Sequence, residues 1–178
     1  MKDIVSYASS RIPYSKIVPE SYVSTDNMLQ QCEGVVPYNG TPNIDSVIRY
    51  VVGDILVSNI RPYLKKSWLA YREGGCSPDV LVFRVTKPEV VDSTYLSYCL
   101  KQDAFFDFMM QGTKGMKMPR GDKNLISNYI VPIPPLDEQK KIVAEVLEYE
   151  SEISKAKAVM RAASARKQAI LRKYGVIT

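Results

Sequence analysis

The chain has 178 residues, of which 46% are apolar and 24% charged, as is ordinary for a soluble globular protein. It has no N-terminal signal-like segment and no apolar run near the ~18 residues that span a bilayer, so we expect a cytoplasmic protein with no membrane partner. It has no histidine and only three cysteines, which are widely spaced. This composition excludes Ser–His and Cys–His catalysis and argues against a disulfide framework or a zinc site.

The formal net charge of +5 is unevenly distributed along the chain. Residues 1–136 carry 15 basic and 13 acidic side chains, so a cationic surface in this part requires local clustering. Residues 137–152 contain six acidic side chains, whereas residues 153–178 contain seven Lys or Arg and no Asp or Glu. The charge therefore changes from acidic to basic along the last quarter of the chain.

The first 135 residues have the pattern of a mixed α/β domain. Strands are predicted where β-branched and aromatic residues concentrate, at residues 22–25, 47–57, 68–71, 80–85 and 126–133. Gly53-Asp54 is interpreted as a turn between two strands, and Gly74-Gly75 as a second turn. Apolar residues at helical spacing predict one helix over residues 94–110. We therefore expect an α+β fold, with a mixed and mainly antiparallel globule over residues 1–135.

Residues 136–178 are predicted to form a second domain around one long helix. From residue 137 to residue 174 there is no Gly or Pro, while Pro134-Pro135 stand before this run and Gly175 stands after it. Pro is tolerated at the start of a helix, and Gly is favoured just past its end. At 1.5 Å per residue the helix would be about 55 Å long.

Apolar residues along this helix repeat about every 3.5 residues, which is typical of a coiled-coil seam. The seam consists of Ile142, Val146, Tyr149, Ile153, Ala156, Met160, Ala163, Lys167 and Ile170. The alternative is a helix that lies on the globular part of its own chain. The change from acidic to basic charge favours an antiparallel pair of helices, because a parallel pair would set like charges side by side.

Two basic clusters are the candidate binding sites. The first contains Arg61, Lys65, Lys66 and Arg72, interleaved with Tyr63, Trp68 and Tyr71. The second contains Lys114, Lys117, Arg120 and Lys123, in a loop with three glycines. Cations neutralise phosphates, and small residues allow the backbone to approach them closely. The alternative for each cluster is a solvated surface patch, and Arg120 could instead pair with Asp122 or with a helix end.

Motifs for catalysis are incomplete throughout the sequence. Residues 59–63 resemble the Asn/Asp-Pro-Pro-Tyr motif of amino-methyltransferases but lack its first proline, and no glycine-rich cofactor loop follows a strand. Pro78-Asp79 before a strand resembles a nuclease metal site, but the next acid-x-Lys lies at residues 138–140. The sequence therefore predicts no catalytic residue, no metal site and no cofactor.

Four stretches of the chain resemble half of a DNA-specificity subunit of a type I restriction–modification system. They are residues 22–28 (YVSTDNM), 53–63 (GDILVSNIRPY), 75–84 (GCSPDVLVFR) and 132–139 (PIPPLDEQ). The last stretch, a proline-rich exit into a long helix, is the most specific of the four. The resemblance covers nearly the whole chain, in the order that the family has.

The resemblance implies a target recognition domain followed by one conserved helical spacer. Family members usually carry two of each, read a bipartite DNA site, and direct methyltransferase and restriction subunits to it without being catalytic themselves. The implied partners are double-stranded DNA, methyltransferase (modification) subunits and a restriction or translocase subunit. Residues 136–178 would then serve for dimerisation and methyltransferase docking.

Candidate DNA contacts rest on side-chain chemistry, because the family's base-reading loops vary. The main candidates are Lys65, Lys66, Lys114, Lys117, Arg120 and Lys123, and the weaker ones are Arg61, Asn59, Ser58 and Ser77. With one recognition domain and one helix, the chain is either a half-subunit that forms a two-fold homodimer on a palindromic split site or a fragment of a longer chain. Two rivals remain: the recognition piece of a fused restriction–methylation enzyme, and a coiled-coil interaction protein that does not bind DNA.

Overall fold

Eight strands form two four-stranded sheets within residues 1–40, 42–113 and 117–176, the parts of the chain that the computed structural model describes. The strands are β1 Val5–Tyr7, β2 Arg11–Pro13, β3 Tyr22–Val23, β4 Ser46–Tyr50, β5 Ile55–Ser58, β6 Ser67–Leu69, β7 Gly74–Cys76 and β8 Val80–Val85. The first sheet has the order β1-β8-β5-β6 and is antiparallel throughout. The second has the order β2-β4-β7-β3, in which only β3 and β7 are parallel.

The α-helices follow the strands in the chain. They are α1 Ser93–Cys99, α2 Asp103–Gln111, α3 Lys123–Ser127 and α4 Leu136–Lys173. The chain divides into two compact units, Met1–Gln139 and Lys140–Thr178. The expected α+β fold, a mainly antiparallel globule with one long C-terminal helix, is confirmed.

The central strands β5 and β8 are buried on both faces. Leu56 and Val82 belong to a hydrophobic cluster that includes Tyr50 of the second sheet. On the opposite side, Phe83 lies 6.2 Å from Phe105 of α2, measured between ring centroids. Because both faces are covered, β8 is a nearly continuous apolar run, and each fully buried Leu or Phe contributes about 1.5–3 kcal/mol.

The predicted turn at Gly74-Gly75 is wrong, because both residues lie in strand β7. An added Cβ on Gly74 would stand 2.3 Å from the Ser21 carbonyl oxygen, and one on Gly75 would stand 2.2 Å from Cγ2 of Val47. The two glycines are therefore required by the close approach of neighbouring chain segments. A glycine pair normally indicates a turn, and only the packing distinguishes the two cases.

The predicted strand at residues 126–133 is also wrong. The chain forms α3 there, and the Asp122 carboxylate accepts hydrogen bonds from the N–H groups of Asn124 (2.8 Å) and Leu125 (3.3 Å). This N-cap satisfies donors at the start of the helix. Residues 128–135 have no regular secondary structure. The single helix predicted for residues 94–110 is two helices, α1 and α2, separated by residues 100–102.

The turn at Gly53 is confirmed, with a positive φ of 87° that glycine adopts without strain. The strands that it joins, β4 and β5, belong to different sheets. Residues 77–79 likewise connect β7 of the second sheet to β8 of the first. The two connections lie at opposite ends of β5, because Ser58 pairs with Val80, whereas Ile55 pairs with Phe83.

Candidate nucleic-acid interface

Four chain segments meet beyond Ser58 and form what we call the loop end: residues 24–36, 59–66, 77–79 and 117–121. The first segment is held by Asn27, whose side chain is buried. Its Oδ1 accepts a hydrogen bond from the Ser24 N–H (2.7 Å), and its Nδ2 donates to the carbonyl oxygens of Tyr22 and Val36 (both 2.9 Å). One buried amide therefore fixes the shape of this loop.

The other segments are joined by main-chain hydrogen bonds. The Asn59 N–H donates to the Asp79 carbonyl (2.8 Å), and the Gly121 N–H donates to the Asn59 carbonyl (3.2 Å). The Arg61 N–H donates to the Pro119 carbonyl (2.8 Å), next to the β-bridge of Ile60 with Arg120. The loops are therefore a single hydrogen-bonded assembly.

Strained backbone is concentrated at the loop end. Among the described residues, the non-glycine positions with positive φ are Gln31 (55°), Cys32 (57°), Arg61 (50°) and Lys65 (49°). The Cys32 N–H also donates to the Lys65 carbonyl (2.8 Å), so two of these positions are in direct contact. A left-handed conformation costs a non-glycine residue about 1–2 kcal/mol, and such strain clusters at functional sites.

The cations of the first cluster have different surroundings. Arg61 is exposed, and its guanidinium has no ion-pair or hydrogen-bond partner within the described parts of the chain. Lys65 Nζ lies 2.7 Å from Asp103 Oδ1, and Lys66 Nζ donates to the Thr25 carbonyl (2.6 Å). Arg72 is not part of the loop end, since its guanidinium stacks 5.1 Å from the Trp68 ring centroid beyond the other end of β6.

Only some residues of the second cluster lie at the loop end. Arg120 Nη2 lies 3.1 Å from Asp79 Oδ1, so its partner is not Asp122, which caps α3. Lys117 is exposed. Lys123 begins α3, with Nζ 5.8 Å from the Tyr7 ring centroid. Lys114 lies outside the described residues.

The weaker candidates have mainly internal bonds. Ser58 is 2% exposed and donates its hydroxyl to the Ile60 carbonyl (2.9 Å). Ser77 Oγ accepts from the Asp79 N–H (3.3 Å). Asn59 Oδ1 is buried and has no hydrogen-bond partner in the described structure. The two serine side chains therefore bond within the loops rather than project from them.

Sequence reasoning missed Asp79 as a member of the site. It considered this residue as part of an incomplete nuclease motif and of a family stretch but assigned it no contact, whereas the structure places its carboxylate against Arg120. The two residues are 41 positions apart, so no local pattern could have paired them. The left-handed conformations of Arg61 and Lys65 were likewise invisible in a sequence that has no glycine at those positions.

The opposite end of the same unit, which we call the Asp54 end, is held by buried polar groups. Asp54 is 1% exposed, and its two carboxylate oxygens accept from Arg84 Nε (2.8 Å) and Nη2 (2.6 Å). The same carboxylate accepts from the Val51 N–H (2.8 Å), and its hydrogen bonding raises the pKa of the Arg84 guanidinium. This arrangement supports the turn between β4 and β5.

Gln139, also in the first unit, is fully buried. Its Oε1 accepts from the Asp92 N–H (2.9 Å), and its Nε2 donates to the carbonyls of Val90 (2.9 Å) and Pro134 (2.7 Å). One side chain therefore ties the first turn of α4 to the chain preceding α1. Sequence reasoning placed this residue in a family stretch but assigned it no contact.

In the second unit, the predicted seam of α4 presents apolar side chains to solvent. Tyr149 is 66% exposed, Ile153 53%, Met160 71% and Ile170 57%. Ile142 and Val146, near the start of the helix, are half-buried. An exposed apolar row at this spacing has the form of a helix-pairing surface.

The described residues contain neither a membrane-spanning helix nor a cluster of metal ligands. No helix there has both the length and the apolar character that crossing a membrane requires. No group of three or more His, Cys, Asp or Glu side chains is placed to hold a metal ion in those same residues.

Comparisons with known proteins agree on one family. Residues 36–158 match the family described as the type I restriction modification DNA specificity domain. The chain is 31% identical over 97 residues to the type I restriction enzyme EcoDI specificity subunit of Escherichia coli, an alignment that covers 54% of this chain and 21% of that subunit. It is 35% identical over 65 residues to the MjaVIII specificity subunit of Methanocaldococcus jannaschii, covering 36% of this chain and 15% of that one.

The fold is also shared with a solved structure. The crystal structure of the HsdS subunit from Thermoanaerobacter tengcongensis aligns with a TM-score of 0.64 and 18% identity, covering 97% of this chain and 46% of that one. In each of these comparisons the chain spans less than half the length of the relative. Because the family match covers more than half of this chain, the chain belongs to the type I restriction modification DNA specificity domain family.

Proposed function

We propose that the chain is a non-catalytic specificity component of a type I restriction–modification system, which binds double-stranded DNA through the loop end. The observation that carries this proposal is the meeting of exposed cations and strained backbone in one hydrogen-bonded assembly. Cations supply affinity for the DNA backbone, and rigid loops hold the side chains that read bases. Residues 1–135 would form the recognition domain.

The proposed contacts differ in role according to their surroundings. Arg61 and Lys117, which are exposed, are proposed as phosphate contacts, and Lys114 is retained as a candidate from its sequence alone. Lys65, Lys66 and Lys123 already contact other groups of the chain. They would contribute to DNA binding through the orientation that these contacts give their side chains. Ser58, Asn59 and Ser77 would position the loops.

Residues 136–178 are proposed as the helical spacer, which docks methyltransferase subunits and, with them, a restriction subunit. The names of the similar proteins support this role, since both sequence relatives are specificity subunits of type I restriction enzymes. The chain would supply DNA recognition to that assembly, and the reacting groups would lie in the partner subunits.

We also propose that α4 pairs antiparallel with α4 of a second copy, so that two recognition domains read a bipartite, palindromic target. The exposed seam provides the apolar surface. The acidic residues 137–152 of one helix would face the basic residues 153–173 of the other. Two copies would together approach the length of the solved relative, of which one copy spans 46%.

Duplex binding at several salt concentrations tests the DNA proposal. The wild-type chain should bind duplex DNA at low salt, and Arg61→Ala should lower the slope of log affinity against log salt by about one. Arg49→Ala is the matched control, because Arg49 is an exposed arginine of β4 that is paired with Glu73. Absence of binding even to non-specific duplex at low salt would contradict the proposal, and an unchanged slope would remove Arg61 from the contacts.

Sedimentation at micromolar concentration tests the pairing. The wild-type chain should sediment as a dimer, and Ile153→Asp should shift it to monomer, because a charge would enter the apolar seam. Val159→Asp is the control: Val159 is 69% exposed on the same helix but lies off the seam, so the dimer should persist. A wild-type chain that is only monomeric under these conditions would end the homodimer proposal.

A further inference from the structure

The ion pair between Asp79 and Arg120 joins two of the chain segments of the loop end. We propose that Arg120, oriented by Asp79, reads a guanine through the major groove and so sets the base preference at one position of the target. This inference rests on the proposed DNA-binding function and goes beyond it, because it assigns base reading to one residue and separates that role from phosphate contact.

The backbone on both sides of the pair is fixed. Arg120 forms a β-bridge with Ile60, and it lies between the buried Pro119 and the buried Gly121. The Asp79 carbonyl accepts from the Asn59 N–H (2.8 Å), and the Asp79 N–H donates to Ser77 Oγ (3.3 Å). A side chain that starts from a fixed backbone loses less conformational entropy when it binds.

The guanidinium is held at one side and open at the other. Its Nη2 contacts Asp79 Oδ1 at 3.1 Å, while the Arg120 side chain remains 57% exposed. Arginine has five N–H donors in a planar fork, so a carboxylate on one nitrogen leaves donors for a second partner. Two parallel donors match the O6 and N7 acceptors that guanine presents in the major groove.

The charge of the pair argues for a base rather than a phosphate as that second partner. Asp79 and Arg120 together are neutral, and a phosphate bound to Arg120 would also be repelled by the Asp79 carboxylate. A guanine edge is uncharged and is recognised by the direction of the N–H donors, which the carboxylate fixes. Arg61 has no carboxylate partner in the described structure, so no such neighbour would repel a phosphate bound to it.

Lys65, at the same loop end, differs from Arg120 in the geometry of its charged group. It is also paired, with Nζ 2.7 Å from Asp103 Oδ1, but lysine is a point charge without a planar fork. Among the paired cations described at the loop end, Arg120 is therefore suited to bidentate recognition of guanine and Lys65 is not. The carboxylate of Asp79 acts through Arg120 as a positioning group.

Selection from a random-sequence duplex library tests the inference with the full-length chain. The wild type should enrich a sequence with a guanine at one fixed position, and 7-deazaguanine there, which lacks the N7 acceptor, should weaken binding about tenfold. Arg120→Lys should lose the preference at that position alone, because lysine keeps the charge but not the fork. Arg49→Lys is the matched control, because Arg49 is also an exposed arginine paired with a carboxylate, Glu73, and it should leave the enriched sequence unchanged.

Asp79→Asn separates orientation from folding. Removing the carboxylate frees the charge of Arg120, so affinity for non-specific duplex should rise while preference for the guanine falls. If Asp79 had a purely structural role, Asp79→Asn would lower the affinity for non-specific duplex and the affinity for the guanine-containing sequence together. Thermal unfolding of each variant establishes that it is folded before binding is compared.

The outcomes distinguish this inference from the proposed function. A wild type that binds no duplex overturns both. A wild type that binds selectively, with Arg120→Ala weakening all sequences uniformly and lowering the salt slope by about one, makes Arg120 a phosphate contact and overturns the inference alone. Binding without any guanine preference overturns it as well.

Discussion

The Asp54 end and the loop end of the first unit use similar residues for different purposes. At the Asp54 end an arginine is bound through two nitrogens to an almost fully buried carboxylate, and the turn there uses a glycine where φ is positive. At the loop end an arginine touches its carboxylate through one nitrogen, and four non-glycine residues, in addition to Gly34, occupy positive-φ positions. The first arrangement stabilises the fold, whereas the second keeps donors available at some cost in stability.

The comparison teaches where function can be sought in this fold. Polar groups that are buried and fully bonded contribute to folding, and their removal should be felt there. Polar groups that are fixed but half-exposed contribute little to stability, because solvent screens them. Substitutions at the two ends should therefore separate stability from binding.

The largest effect is expected for Asp54→Ala. The change would leave Arg84 without its partner and the Val51 N–H without an acceptor. We expect the free energy of unfolding to fall by about 3 kcal/mol, measured by urea denaturation, with the DNA affinity of the folded fraction unchanged.

Arg49→Ala is the control for that substitution, since the Arg49–Glu73 pair is exposed on both sides. Its loss should cost less than about 1 kcal/mol. Equal losses for the two variants would show that burial does not distinguish the pairs, and a loss of DNA affinity in folded Asp54→Ala would break the separation of the two ends.

The second effect concerns Gln139→Ala. Three part-buried hydrogen bonds to backbone groups would be lost, and water could replace them only incompletely. We expect a loss of about 2–3 kcal/mol in the free energy of unfolding. Gln102→Ala is the control, because the Gln102 side chain is exposed and makes one hydrogen bond within the described residues, to the Tyr98 carbonyl. A similar loss of stability there would contradict the explanation.

The smallest effects are expected from two substitutions at positive-φ positions, which should change the free energy of unfolding in opposite directions. Gly53→Ala at the Asp54 end should lower the free energy of unfolding by about 1 kcal/mol, because alanine is strained at a φ of 87°. Arg61→Gly at the loop end should raise it by up to about 1 kcal/mol through relief of strain, while DNA binding weakens. Chemical denaturation and duplex binding measure the two quantities, and loss of stability in Arg61→Gly would show that its backbone is not strained.

Local patterns in the sequence were sufficient for the elements that local chemistry controls. The run without Gly or Pro predicted a helix over residues 137–174, and α4 spans Leu136–Lys173. The apolar run at residues 80–85 coincides with β8. Both elements are long or strongly apolar, so neighbouring segments did not alter them.

The predictions from sequence were wrong or incomplete mainly where contacts with a distant segment determine the structure. Gly74-Gly75 lie in a strand that pairs with β3 and β4, and they are glycines because Ser21 and Val47 approach too closely for a side chain. Residues 123–127 are a helix because Asp122 caps them, although the apolar residues after it also fit a strand. At the candidate site, sequence patterns found the cations but not Asp79, because the contact of Arg120 depends on the folding of two sheets.

The main-chain bonds that join the loops have a consequence for how new targets could evolve. The bonds from Asn59 to Asp79, from Gly121 to Asn59 and from Arg61 to Pro119 use backbone atoms only. Their formation does not depend on which side chains these loops carry, glycine and proline positions aside. Many side chains on this frame can therefore be exchanged with little penalty in folding, and under the proposed function a change of DNA target would require few substitutions.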